Sequence, residues 1–203
     1  MIDTVTVFNI RDFFSDEDDN VLGEDALKKI LSDFSCKKNL DVERFLKEQA
    51  VNFTKKNQSV TYLVLSDEDG LLLGYFTLTV KPVTVNSDSF SNTVKKRIAR
   101  VSEQDAENGK YSLAAYLIAQ LGKNYANGLS ERITGEELLA LAINHIQELQ
   151  YEIGGMVVFL ETDPNERLLH FYENENGFKK FDTKEIQPGT PSAHTLVQLL
   201  KVL

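Results

Sequence analysis

The chain has 203 residues, 42% of them hydrophobic and 26% charged, which is the composition of a globular domain with a sizeable core. Lys and Arg number 22 against 31 Asp and Glu, a formal charge of −9, so only a local basic patch could attract a phosphate backbone or an anionic membrane. A single cysteine, Cys36, excludes an intrachain disulfide and a multi-cysteine zinc site, and with no basic leader and no run near ~18 apolar residues the expected compartment is the cytoplasm, away from membranes.

Residues Ile2 to Ile10 alternate apolar and polar and predict a first strand. The acidic run Asp16 to Asp19 lacks the alternate ligand spacing and central glycine of a calcium loop and reads as a solvated loop. Ala26, Leu27, Ile30, Leu31 and Phe34 recur at helical spacing, which predicts a short amphipathic helix over 24–34. Asp41 is the expected N-cap of a second helix, with Val42, Phe45, Leu46, Gln49, Ala50 and Phe53 on one face and an end near Lys56. Two strands follow, Val60–Leu65 and Leu71–Leu78, joined by the turn chemistry of Asp67 to Gly70. Gly74 within the second marks a bulge or a close approach to the backbone.

From Pro82 to Lys110 the composition turns polar, with a short basic helix expected around Lys95, Lys96, Arg97 and Arg100. This stretch is either an insertion covering a site or a surface loop. Leu113 to Leu121 is apolar throughout and predicts a central strand. A loop from Gly122 to Ile133 then enters a helix whose start is set by a Thr-x-x-Glu capping box, Thr134 and Glu137. Met156 to Leu160 predicts a strand. Asp163-Pro164-Asn165 opens a helix through Tyr172, which Gly177 ends in the left-handed conformation. Phe178–Phe181 and Thr195–Leu203 are the last expected strands, joined by the turn-rich loop Gln187 to Pro191. Antiparallel neighbours before a β-α-β crossover describe an α+β fold with a mixed sheet.

Two segments concentrate chemistry. A central strand that ends, loops and enters a helix presents backbone N–H groups suited to an anionic phosphate. Here Ser130, Arg132, Thr134 and Gly135 stand at that helix start, and Glu136 and Glu137 compete for the same positive end as caps. The second segment is Asn165, Phe171-Tyr172 and Gly177-Phe178, in which Tyr172 reads by local pattern alone as a packed helix aromatic. His145, His170 and His194 are far apart in sequence and read as structural, so no metal site is expected.

The order of elements and these residues resemble the GNAT N-acetyltransferases. The acyl-CoA loop of that family, Q/R-x-x-G-x-G/A before paired leucines, aligns with Leu138-Leu139 so that Gly135 takes the last small position. Ile133 stands where the middle Gly is usual and Ser130 where Gln or Arg is usual. The family pattern N-x-x-x-x-x-F/L-Y-x-x-x-G-F is reproduced by Asn165, Phe171-Tyr172 and Gly177-Phe178, with one extra residue between Tyr and Gly. Phe45-Leu46-Lys47-Glu48-Gln49-Ala50, Thr61-Tyr62-Leu63-Val64-Leu65 and Gly74-Tyr75-Phe76-Thr77-Leu78 add a likeness to the toxin-type branch that acetylates aminoacyl-tRNA. Together the resemblance covers about 41–181.

This resemblance implies one GNAT-like domain over 1–203, an α/β/α sandwich around a mostly antiparallel sheet of about seven strands, with the polar insertion at about 82–110. It implies direct transfer from acetyl-CoA to the primary amine of a small or peptidic acceptor, with no metal. Tyr172 would protonate the departing thiolate, a task suited to a neutral phenol whose reference pKa of ~10 lies near that of a thiol. Cofactor contacts would come from Leu121, Gly122 and Lys123, whose backbone N–H polarises the thioester carbonyl, and from Ser130, Arg132, Ile133, Thr134, Gly135 and Asn165. The toxin branch implies a tRNA acceptor, which the charge of −9 disfavours outside the basic cluster at 95–100. A non-catalytic CoA-binding module is the third reading, and a homodimer is compatible with the fold.

Overall fold

Alternation in the first residues forms β1 (Val5–Asn9), and the Asn9 side chain then caps a 3₁₀ turn over Ile10–Phe13. The computed structural model describes residues 4–14, 23–86, 90–102, 104–105, 107–190 and 192–203. The acidic run at 16–19, the start of the first expected strand and Pro191 lie outside the described residues. The elements that follow are α1 (Gly23–Ser32), α2 (Leu40–Arg44), a π-helical turn (Phe45–Gln49), α3 (Ala50–Lys55), β2 (Val60–Ser66) and β3 (Leu72–Asn86). After them come α4 (Asn92–Ile98), β4 (Lys110–Lys123), α5 (Gly135–Ile153), β5 (Val157–Thr162), α6 (Glu166–His170), β6 (Lys179–Ile186) and β7 (His194–Val202). The sheet has seven strands in the order β1-β2-β3-β4-β5-β7-β6. β4 and β5 are parallel, whereas β1/β2, β2/β3, β5/β7 and β6/β7 are antiparallel. The mixed α+β sheet is therefore as the sequence predicts.

Two compact units divide the chain, Met1–Thr79 with Ala119–His145 and Val80–Ile118 with Ile146–Leu203. In the first, Leu27, Leu31 and Phe34 join Ile10, Phe13, Phe45, Leu46, Leu63 and Tyr75 in one buried cluster. Each large side chain so removed from water adds roughly 1.5–3 kcal/mol. The Tyr75 ring stands edge-on to Phe34 with centroids 5.3 Å apart, and its hydroxyl donates to the Val42 carbonyl at 2.7 Å. That bond fixes α2 against β3 without leaving a buried polar atom unpaired. On α5, Leu138, Leu139 and Ala142 are buried, and the His145 ring lies 4.3 Å from that of Tyr62.

Two expectations about the second helix are corrected. Its N-cap is Asn39, whose side chain accepts from the N–H groups of Asp41 and Val42. The π turn over Phe45–Gln49 inserts a residue into the helical phase, so the buried face passes through Phe45, Leu46, Ala50 and Thr54. Phe53 is turned to the rim at 36% exposure and packs edge-on to Phe45, centroids 5.5 Å apart.

Gly74 fulfils both of its expected roles. Register shifts beside it, Val64 pairing with Gly74 and Leu65 with Leu72. A Cβ there would stand 2.9 Å from the Gly122 carbonyl oxygen and 3.1 Å from a Leu138 methyl.

In the second unit, Tyr116, Leu117 and Ile118 of β4 pair with Val158, Phe159 and Leu160 of β5. The turn before β5 is Gly154-Gly155, both at positive φ. A Cβ on Gly155 would lie 2.7 Å from the Tyr116 ring, and the Tyr116 hydroxyl donates to the Gly154 carbonyl. Edge strand β6 carries Lys179, Lys180, Asp182, Lys184 and Glu185, charges that discourage further strand pairing.

Candidate active site

In the first unit, β4 ends at Lys123 and the chain takes a 3₁₀ turn over Ala126–Glu131 before α5. Asn127 and Gly128 sit there at φ +49° and +78°, a left-handed pair that Asn and Gly tolerate. The capping box forms as predicted. Thr134 N–H donates to Glu137 Oε2 at 2.7 Å and Glu137 N–H to Thr134 Oγ1 at 3.1 Å. The Thr134 N–H, and after it the Thr134 hydroxyl, hold the Glu137 carboxyl below the usual range. The two bonds of the box do not use the N–H groups of Gly135 or Glu136, which remain the ones aimed out of the helix start.

The cationic residues of this loop have protein partners. Lys123 is half-buried, and its ammonium donates to the Ser130 carbonyl at 2.6 Å. Burial pulls its pKa down, with the Lys38 charge adding to that and Glu137 opposing it. Arg132 donates from Nη1 to Asp69 Oδ2 at 2.7 Å, and from Nη2 to Asp69 Oδ1 at 3.3 Å and to Ser66 Oγ at 2.8 Å. Its guanidinium in turn holds the Asp69 carboxyl below the usual range. Ile133 is buried at 3%, so its side chain belongs to the packing of the loop. Leu121 is half-buried and Gly122 buried. A Cβ on Gly122 would meet Val42 Cγ1 at 2.5 Å and the Tyr75 ring at 2.9 Å, which is why this position needs a glycine.

Sequence reasoning passed over Asn124, which is fully buried. Its Oδ1 accepts from Ser35 N–H at 2.9 Å and Ala126 N–H at 3.0 Å. Its Nδ2 donates to the Leu72 carbonyl at 2.8 Å and the Asp33 carbonyl at 3.4 Å. The end of β4 is thus tied to the start of β3 and to the α1–α2 connection. An Asn in a polar loop carries no local signal of such a role, since its partners stand 52 and 91 residues away.

In the second unit, Asn165 caps α6, its Oδ1 accepting from Arg167 N–H at 3.0 Å and Leu168 N–H at 3.3 Å. Helix α6 passes into a π turn, Phe171–Glu175, which carries Tyr172. That turn absorbs the extra residue between Tyr172 and Gly177. Phe178 N–H reaches back to the Tyr172 carbonyl at 2.9 Å, one residue further than in an ordinary Schellman end. Gly177 takes φ +70° as expected. The Tyr172 ring packs edge-on to Phe171 and Phe178, centroids 5.0 and 5.9 Å away. Burial pushes its hydroxyl up to about 12, so at neutral pH it is a protonated donor. His170 Nδ1 pairs with Glu175 at 3.1 Å on the exposed side. Among the described residues no group of three or more His, Cys, Asp and Glu could hold a metal ion.

No protein-family model and no curated protein matches the chain. Solved structures do. AtaT complexed with acetyl-methionyl-tRNAfMet is 17% identical with a TM-score of 0.60, over 96% of this chain and 94% of that one. A tyrosine-to-phenylalanine variant of KacT is 18% identical with a TM-score of 0.62, over 98% and 94%. A tyrosine-to-phenylalanine variant of the AtaT toxin, bound to the C-terminus of the antitoxin AtaR and acetyl-CoA, is 17% identical with a TM-score of 0.56, over 98% and 94%. At this identity the likeness is one of backbone, carried along almost the whole length: the chain has the GNAT-like α+β fold of these toxins.

Proposed function

We propose that the chain is an acyl-CoA-dependent N-acetyltransferase that passes an acetyl group from acetyl-CoA to a primary amine by direct attack. The observation that carries this reading is the near-complete fold likeness to a toxin bound to acetyl-CoA. The local chemistry fits the donor. The helix start at Gly135 and Glu136 offers N–H groups to its diphosphate, and Tyr172 supplies a neutral acid. The neutral amine adds to the thioester carbonyl, the C–S bond breaks, Tyr172 gives its proton to sulfur, and the amine's surplus proton returns to the tyrosine or to water. Holding both substrates together supplies much of the acceleration. Calorimetric titration with acetyl-CoA tests the reading, and no binding at millimolar concentration would sink it.

A second, narrower reading makes the acceptor the α-amino group of an aminoacyl-tRNA. AtaT complexed with acetyl-methionyl-tRNAfMet favours it, as do the exposed Lys96, Arg97 and Arg100 in and just after α4. Reversing Lys96 and Arg100 to Glu should then raise KM for charged tRNA about tenfold or more at low salt and leave that for a small amine unchanged. An equal effect on both acceptors would count against tRNA.

A further inference from the structure

Three cationic or amide side chains, those of Lys123, Asn124 and Arg132, tie down the segment between β4 and α5, and one of them, Arg132, was expected to face the donor's phosphates. Lys123 closes the segment on itself by donating to the Ser130 carbonyl, seven residues on. Arg132 closes it against the β2–β3 turn through Asp69 and Ser66. Glu68 adds a longer contact to Arg132 at 3.7 Å. Asn124 fixes the segment's root with four side-chain hydrogen bonds. An arginine already meeting a carboxylate through both terminal nitrogens has its planar fork filled. A half-buried ammonium at 2.6 Å from a carbonyl commits one of its three donors there and is held in place by that bond.

We propose that Lys123 and Arg132 are positioning residues. They hold the 124–134 segment in the shape that presents the Gly135 and Glu136 N–H groups, and the donor's diphosphate is not their partner. That the segment serves a diphosphate rests on the acetyltransferase reading; the bracing itself does not.

Hydrogen exchange on the ligand-free protein reads the bracing directly. In Lys123→Met, amides at 126–133 should exchange roughly tenfold or more faster, the scale of one hydrogen bond to a charged group. Arg132→Gln and Asp69→Asn should quicken the same amides, with β5 and β7 unchanged. Unaltered exchange in Arg132→Gln and Asp69→Asn would overturn the proposal, and neither of these surface changes threatens the fold. Acetyl-CoA titration of Asp69→Asn separates the two roles by sign. Losing the brace weakens binding about two- to fivefold, the scale of an exposed ion pair. An Arg132 that grips phosphate would be freed by the same change and bind more tightly, which would overturn its assignment. For Lys123→Met, loss of part of the salt dependence of binding would mark a direct phosphate contact and overturn the role given to Lys123. If the wild-type chain binds no acetyl-CoA while the exchange changes appear, the bracing stands and the acetyltransferase reading falls.

Discussion

A phenol suits acid catalysis here because its proton stays on. Burial lifts the Tyr172 hydroxyl to about 12, so the donor form prevails at neutral pH. Tyr172→Phe removes the proton and keeps the ring between Phe171 and Phe178. Turnover should therefore fall about 100-fold while acetyl-CoA affinity and thermal midpoint stay near wild type, as stopped-time assays and calorimetry would report. An unchanged rate would remove Tyr172 from the mechanism. Gly122 makes the opposite kind of prediction. A methyl group there collides with Val42 Cγ1 at 2.5 Å, and Val42 is held in place through its own carbonyl by Tyr75. Gly122→Ala should cost about 1–3 kcal/mol by overpacking, measurable as an earlier midpoint in urea. Stability equal to wild type would show that α2 can shift freely.

At the scale of elements, what could be read in advance was whatever depends on neighbours along the chain. The Thr134–Glu137 box, the Gly177 end and the apolar, β-rich run of β2 rest on spacings of a few residues, and each formed as expected. The strand ends did not follow. Polar residues such as Lys81, Thr84 and Lys110 lie within β3 and β4 because a sheet can turn alternate side chains to water. The two π turns were likewise hidden, since a one-residue insertion in a helix leaves no mark on composition. One displaced Phe53 from the expected face; the other reconciled Tyr172 with the odd spacing to Gly177. In the candidate site, the cap of α5 was legible and the partners of Arg132 and Asn124 were not, because Asp69 and Leu72 are far away in sequence. The capping box invites its own test. Protonating Glu137 removes the charge that strengthens its bond from Thr134 N–H, and its depressed pKa means that this contribution of the cap is complete above the ordinary glutamate range and is lost as pH falls through the lower folded value. Glu137→Ala should lose about 0.5–2 kcal/mol of stability at neutral pH, and this difference from wild type should shrink toward zero in acid. A difference that persists undiminished at low pH would show that the carboxylate is not what caps the helix.

For the whole molecule, titration sets limits at both ends of the pH scale, and the alkaline one comes from the buried tyrosines. Tyr75, Tyr62, Tyr116 and Tyr172 all have hydroxyls raised above the ordinary value, in each case chiefly by burial. Tyr75 is fully enclosed and is bonded to the Val42 carbonyl as a donor, which an ionised oxygen cannot be. The unfolded chain releases these protons near ~10, whereas the folded chain keeps them to higher pH. Between those values the native state binds more protons than the unfolded one, so the slope of stability on pH is negative. The stability is therefore complete below about pH 10 and declines as pH rises toward the folded values, Tyr172 alone contributing on the order of 3 kcal/mol at about 1.4 kcal/mol per unit. The net charge of −9 grows more negative over the same range and adds self-repulsion in the same direction. Urea midpoints measured from pH 8 to 11 should be flat at first and then fall, with the phenolate absorbance of Tyr62, Tyr75, Tyr116 and Tyr172, in excess of that of the other tyrosines such as the exposed Tyr151, appearing together with unfolding instead of before it. Salt separates the two contributions. Added NaCl screens the repulsion between surface charges but leaves the desolvation of buried phenols in place, so 0.5 M salt should recover only part of the alkaline loss. Full recovery would assign the decline to surface charge alone, and phenolate absorbance from all seven tyrosines in a still-folded protein would show that these rings are open to water.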